Sequence, residues 1–304
     1  MSAEKYLQKP IIIFGTGRSG TTIISDIIFQ HEDLAWHNNY QELFPTTPFV
    51  NYFRRLFDNK YWRHIGMNTQ NNKGVINYFC FRPIERYTFW EKLTGPRIDF
   101  SRGFLINEKA TETERTHIRN FLNKLVKFQK RKRLAFKLTG PARMEYLMSL
   151  FPDAVFINIT RHPVPTVRSW LEVVWSTQIT DQLWWTGAYN ADELEKAKEY
   201  SSDAALFAAF QYRKIMETTE AEITKMKPTI LNVRYEDFVK DSKAVITQIL
   251  DFAGLPASKL VDTYMTEKIS VKNRNDRQAK SEKTAISAET KTKIMEIVAP
   301  YTSN

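Results

Sequence analysis

The stretch IIIFGTGRSGTT, residues 11–22, constrains this chain more than any other. Ile11, Ile12, Ile13 and Phe14 have no polar side to turn towards water, so they predict a short strand buried on both faces, as in a parallel sheet. Gly15, Gly17 and Gly20 then let the backbone turn tightly, so that successive N–H groups converge on one anion. Across residues 21–30, Ile23, Ile24, Ile27 and Ile28 recur at helical spacing, and the unit reads strand, glycine loop, helix. The positive end of that helix points at the same place. Gly15, Thr16, Gly17, Arg18, Ser19, Gly20, Thr21 and Thr22 are therefore the candidate phosphate cradle, with Ser19 and Thr22 adding hydroxyl donors.

The loop nonetheless lacks the part that an ATPase needs. A nucleoside-triphosphate loop ends in Gly-Lys-Ser/Thr, where lysine neutralises the β- and γ-phosphates and the hydroxyl holds Mg²⁺. Here Thr21 follows Gly20, and the cation has moved forward to Arg18. That pattern favours a smaller anion held by arginine and backbone. The three glycines also match a dinucleotide fingerprint, but the ribose-binding acid expected about twenty residues on, at the end of the second strand, is missing. Trp36, His37 and Asn38 stand there, and Glu42 follows only after a polar loop.

The rest of the chain keeps a strand–helix rhythm. Residues 34–36, 134–138, 154–159 and 229–233 read as strands, and residues 112–128, 142–150, 163–175, 204–226, 238–253 and 288–298 as helices. The class is α/β, a parallel sheet flanked by helices, in which ligands bind beyond the carboxyl ends of the strands. No repeat or linker interrupts the 304 residues. We expect one domain, with a substrate-side insertion at about 48–130, rich in aromatics, and a basic tail at about 265–285 that covers the ligand. The basic run KRKR, residues 130–133, suits the carboxyl end of a helix.

An excess of 44 Lys and Arg over 34 Asp and Glu favours anionic partners. No nucleic-acid-binding motif is present, so none of that class is expected. The single cysteine, Cys80, rules out an intrachain disulfide framework and a Cys-based zinc site. No signal-like or membrane-spanning apolar run occurs, and the expected setting is the cytoplasm. A homo-oligomer is left open.

A second half of the site lies in FPDAVFINITRHPVPTVRSWL, residues 151–171. Arg161 ends a strand and Ser169 lies two turns inside the following helix, a spacing that suits a second phosphate. With these residues the chain resembles the sulfotransferases that use 3′-phosphoadenosine 5′-phosphosulfate (PAPS), particularly bacterial and tyrosylprotein-type members. Arg18 to Thr22 match the family's 5′-phosphosulfate loop, Arg161 and Ser169 its 3′-phosphate motif, and Tyr235, Glu236 and Asp237 its later strand-to-helix segment. The resemblance implies a P-loop-like sulfotransferase fold with helical insertions, PAPS as sulfuryl donor, PAP as product and no metal. His162 departs from the aspartate of many relatives.

The resemblance also suggests roles. Glu42 is the preferred general base, with His37 as runner-up because imidazole titrates near neutrality. Lys137 is expected to contact the phosphosulfate and, with Arg18, to stabilise charge on the leaving group. In the tail, Lys272, Asn273, Arg274 and Arg277 are candidates for the 3′-phosphate and adenine, although the family's usual Arg-Lys-Gly cluster is absent. Trp175, Trp184, Trp185 and Tyr189 either stack on an acceptor or pack in the core. The acceptor is a small-molecule, lipid or glycan hydroxyl, or an amine. A P-loop-type phosphotransferase and a non-catalytic nucleotide-binding protein remain the alternatives.

Overall fold

Strand β1 (Ile11–Gly15) is buried throughout, because neither of its faces meets water. Ile12 and Phe14 pack with Phe136, Leu138 and Phe156 on one side, and Ile11 and Ile13 with Ala135, Val155 and Ile157 on the other. Side chains alternate along a strand, so an unbroken apolar run marks one that is covered twice. The computed structural model describes residues 5–59, 80–173, 182–267, 269, 271–277 and 282–301.

With β2 (Leu34–Ala35), β3 (Arg133–Thr139), β4 (Val155–Thr160) and β5 (Thr229–Arg234), β1 forms a sheet in the order β2-β3-β1-β4-β5. Every pairing is parallel. Gly15 of the central strand pairs with Thr139 on one side and Ile159 on the other. Strands β1, β3 and β4 therefore end level, and the connections leaving their carboxyl ends emerge at one edge.

Around the sheet, in chain order, lie α1 (Thr21–Ile28), α2 (Asn39–Leu43), α3 (Arg54–Phe57), α4 (Thr88–Thr94), α5 (Glu112–Phe128), α6 (Met144–Leu150) and α7 (Pro163–Leu171). The later helices are α8 (Ala191–Tyr200), α9 (Ala204–Met226), α10 (Tyr235–Lys240), α11 (Ser242–Phe252), α12 (Lys259–Glu267) and α13 (Ala288–Val298). Helices α4, α5 and α6 cover the Phe14 face, and α1, α11 and α12 the Ile13 face. In α5 the buried side chains are Ile118, Phe121, Leu122, Leu125 and Val126, the stripe that its spacing predicts. Helices α7, α9 and α13 share a further core with Trp170, Trp185 and Tyr212.

Several boundaries differ from the sequence reading. Residues 39–43, expected as polar loop, form α2 because the Asn38 side chain accepts from the Gln41 N–H and caps it. The helix expected at 238–253 is two, α10 and α11, divided at Asp241, whose carboxylate accepts from the Ala244 N–H at 2.9 Å. Helix α6 starts at Met144 rather than 142, since Arg143 is left-handed at φ 53°. Helices α8 and α12 were not expected. The helix expected at 163–175 is seen through Leu171, and Trp175 lies outside the described residues. The basic run is absorbed by structure: Arg131 pairs with Asp58, Lys132 with Asp33 at 2.8 Å, and Arg133 reaches the carbonyls of Lys9 and Ala253. Among the described residues no helix is long and apolar enough to cross a membrane.

Candidate active site

Two glycines set the shape of the loop between β1 and α1. A Cβ on Gly15 would stand 2.1 Å from the Ile159 carbonyl oxygen, so only glycine lets β1 and β4 approach there. Gly20 has φ +94°, and a Cβ on it would lie 2.4 Å from the Tyr235 ring. Gly20 is also the N-cap of α1 and brings no capping side chain. The first-turn amides of α1 thus lack an internal acceptor and suit an anion.

Between these glycines Arg18 sits in the left-handed region at φ 68°, which costs on the order of 1–3 kcal/mol for a residue with a Cβ. Contacts from the other half of the chain hold it. Arg161 donates from Nη1 to the Arg18 carbonyl at 2.8 Å, and Arg18 donates from Nε to Ser169 Oγ at 2.9 Å. Trp170 donates from Nε1 to the Gly17 carbonyl at 2.6 Å. Ser19 is fully buried and its hydroxyl donates to the Thr16 carbonyl at 2.6 Å. The expectation that this hydroxyl faces the ligand is therefore corrected: Ser19, with buried Thr16 and Gly15, builds the loop from within.

Gly17, Arg18, Gly20, Thr21 and Thr22 line a cavity of about 410 Å³ at the carboxyl edge of the sheet. Arg161, Arg168 and Ser169 line it from beyond β4, and Lys272, Arg274 and Arg277 from the tail. Asn275 ties that tail down, accepting from Arg161 Nε at 2.8 Å and donating to Glu236 at 2.9 Å. Burial, and then the neighbouring guanidiniums of Arg274 and Arg277, draw the Arg18 pKa below its ordinary value. Burial chiefly does the same to Arg161, whose guanidinium lies 4.7 Å over the Tyr235 ring. Crowded cations of this kind gain most from a ligand with several negative charges.

Lys137, at the end of β3, donates to Thr22 Oγ1 at 3.0 Å and pairs with Glu85 at 2.9 Å. It thereby touches two residues of the cavity wall. Glu42 and His37 do not line that wall. Their side chains are 7% and 6% exposed, with Glu42 Oε2 3.4 Å from His37 Nε2. Glu42 accepts from the Phe89 N–H at 3.3 Å, and the His37 ring stacks on Phe89 at 4.4 Å. Burial pushes His37 down to about 3, so the ring is neutral at physiological pH and a poor proton acceptor. His162 caps α7, its Nδ1 accepting from the Val164 N–H at 3.3 Å, the task an aspartate would perform there. Trp185 and Tyr189 pack in the core against Trp170 and Phe104. Among the described residues no three His, Cys, Asp or Glu side chains group as metal ligands.

A family model described as "Sulfotransferase family" matches residues 10–259. The chain belongs to the sulfotransferase family. Among solved structures, the sulfotransferase STF9 from Mycobacterium avium is similar at 17% identity and a TM-score of 0.56, over 97% of this chain and 76% of that one. The sulfotransferase STF1 from Mycobacterium tuberculosis H37Rv gives 17% and 0.55, over 98% and 78%. A sulfotransferase domain from the curacin biosynthetic pathway gives 13% and 0.51, over 97% and 98%. Each likeness is one of fold. No curated protein matches.

Sequence reasoning missed several parts of this sulfotransferase's cavity. Glu172 and Arg168 also line it; helical spacing from Ser169 reaches Glu172 three residues on, and from Glu172 reaches Arg168 four residues back. Tyr235, matched above only to the family's later strand-to-helix segment, is both buried and part of the wall. Glu85 also lines the cavity, and no motif surrounds it.

Proposed function

We propose that this sulfotransferase takes its sulfuryl group from PAPS and passes it to a hydroxyl or amine acceptor. The observation that carries the reading is one cavity lined by cations from three distant segments, Arg18, Arg161 and the Lys272 to Arg277 tail. A nucleotide with phosphates at both its 3′ and 5′ positions fits that donor set better than a single anion does. Arg18, the amides of Gly20 to Thr22 and Lys137 would hold the 5′ end, and Arg161, Ser169 and the tail the 3′-phosphate. When bound, PAPS supplies an activated sulfuryl group on its 5′-phosphate. Arg18 and Lys137 would stabilise the charge left on that phosphate, by interactions worth more in a partly dehydrated site than in water.

The acceptor side is less specified. Leu43, Phe44, Phe49, Tyr52, Phe53 and Leu56 are exposed on the segment that follows Glu42, which supports an acceptor with an apolar part, a lipid or a hydrophobic small molecule, over a glycan. A buried free thiol at Cys80 suits a reducing, cytoplasmic setting.

Calorimetric titration with PAP, with ATP and Mg²⁺, and with NAD(H) tests the donor. Binding of PAP alone is expected. ATP binding without PAP binding would return the chain to the phosphotransferase reading, and PAP binding without turnover in an acceptor screen to the non-catalytic one.

A further inference from the structure

Glu85 belongs to no motif, yet it stands in the cavity wall beside Thr22 and Thr139. Its Oε1 accepts from the Thr139 N–H at 2.6 Å, with the Tyr87 hydroxyl 3.2 Å away. That hydroxyl donates to the Thr139 carbonyl at 2.7 Å, so both neighbours that hold the carboxylate are locked to the end of β3. The other oxygen, Oε2, pairs with Lys137 Nζ at 2.9 Å. A carboxylate oxygen has two lone pairs, and among the described residues Oε2 has Lys137 alone. The side chain is 16% exposed and borders the cavity, so the carboxylate is open to that space while its contacts hold it in place.

We propose that Glu85 is the general base of the sulfuryl transfer, an assignment that rests on the PAPS donor reading. Glu42 is directed to the Phe89 amide and does not line the cavity, whereas Glu85 adjoins the Thr22 and Lys137 end, where that reading puts the 5′-phosphosulfate. In the step, the acceptor O–H bond breaks and its proton passes to Glu85 Oε2. The freed oxygen lone pair forms the new O–S bond. The bond from sulfur to the 5′-phosphate oxygen breaks, leaving its electron pair on that oxygen, and the proton later leaves Glu85 for water. Lys137 couples the two ends of the step. As negative charge builds on the departing phosphate, Lys137 is drawn from Glu85 towards it, leaving the Glu85 oxygen free for the proton.

The test uses the full chain, with PAP affinity from calorimetry and turnover from labelled PAPS with phenol or with 4-nitrophenol. At mildly alkaline pH the second phenol is already ionised and needs no base. Glu85→Gln is expected to bind PAP within about twofold of wild type, which also reports that it is folded. It should lose about 100-fold or more in transfer to phenol, the scale of general-base catalysis, but much less in transfer to 4-nitrophenol. Glu85→Asp should recover part of the loss. Full phenol turnover in Glu85→Gln, an equal loss on both phenols, or a loss of PAP affinity beyond tenfold would each overturn the assignment. So would an acceptor-dependent loss in Glu42→Gln but not in Glu85→Gln. Wild type that binds no PAP would overturn the donor reading and the assignment with it.

Discussion

Arg161 is anchored on several sides, by Asn275, by the Arg18 carbonyl and by the face of Tyr235. Its charge is therefore aimed before any ligand arrives, and little ordering entropy is left to lose on binding. Arg161→Ala is expected to weaken PAP binding by about 1.5–3 kcal/mol, the value of a charge-assisted hydrogen bond. Unchanged calorimetric affinity would move the 3′-phosphate elsewhere. Arg18, Arg161 and Ser169 were legible because a glycine loop and a strand end fix where such side chains stand. The direction of the Ser19 hydroxyl was not, since a buried turn and an open cradle use the same letters. Glu85 was illegible for another reason: a lone acid between Ile84 and Arg86 joins the site through contacts with Lys137 and Thr139, more than fifty positions away.

Strands β1 and β4 were the most readable elements, because burial on both faces leaves a mostly apolar run that few other structures explain. Short helices were the least readable. Helix α2 spans five residues and has no apolar period to reveal it; its start is signalled by a cap, and asparagine caps helices and makes turns alike. The Asn38 side chain has two roles there. Its oxygen accepts from the Gln41 N–H at 3.0 Å, and its amide donates to Asn51 at 2.7 Å within a buried polar network that includes Gln129. Asn38→Ala should therefore cost roughly 1–3 kcal/mol, more than a simple cap, because it also takes one of two donors from the buried Asn51 oxygen, leaving it Gln129 alone. Urea unfolding measures that cost, and a change below about 0.5 kcal/mol would mean that the network re-forms without it.

Across the whole molecule, two buried groups set opposing pH dependences. His37 has a folded value of about 3 against an ordinary 6.5. The unfolded chain therefore takes up this proton first, and its share of stability, whole above pH 6.5, is lost as pH falls towards 3. Burial raises Glu222 from 4.5 to about 7, so its share is whole below pH 4.5 and lost as pH rises through 7. Where the windows overlap they offset each other, and the wild-type curve should be nearly flat. His37→Gln should expose the difference: its stability relative to wild type should rise by ~1.4 kcal/mol for each pH unit below the histidine's ordinary value. Paired urea midpoints at neutral and mildly acidic pH would show it, and a constant offset would mean that His37 titrates normally when folded. The donor cavity has a different reach. Its wall draws on residues as far apart in sequence as Gly17 and Arg277, so a polypeptide still being synthesised has no complete cavity wall until residue 277 has emerged. On the proposed donor reading, nucleotide then acts on folding only as a late clasp, rewarding chains that extend through Arg277 and leaving every shorter one without its help.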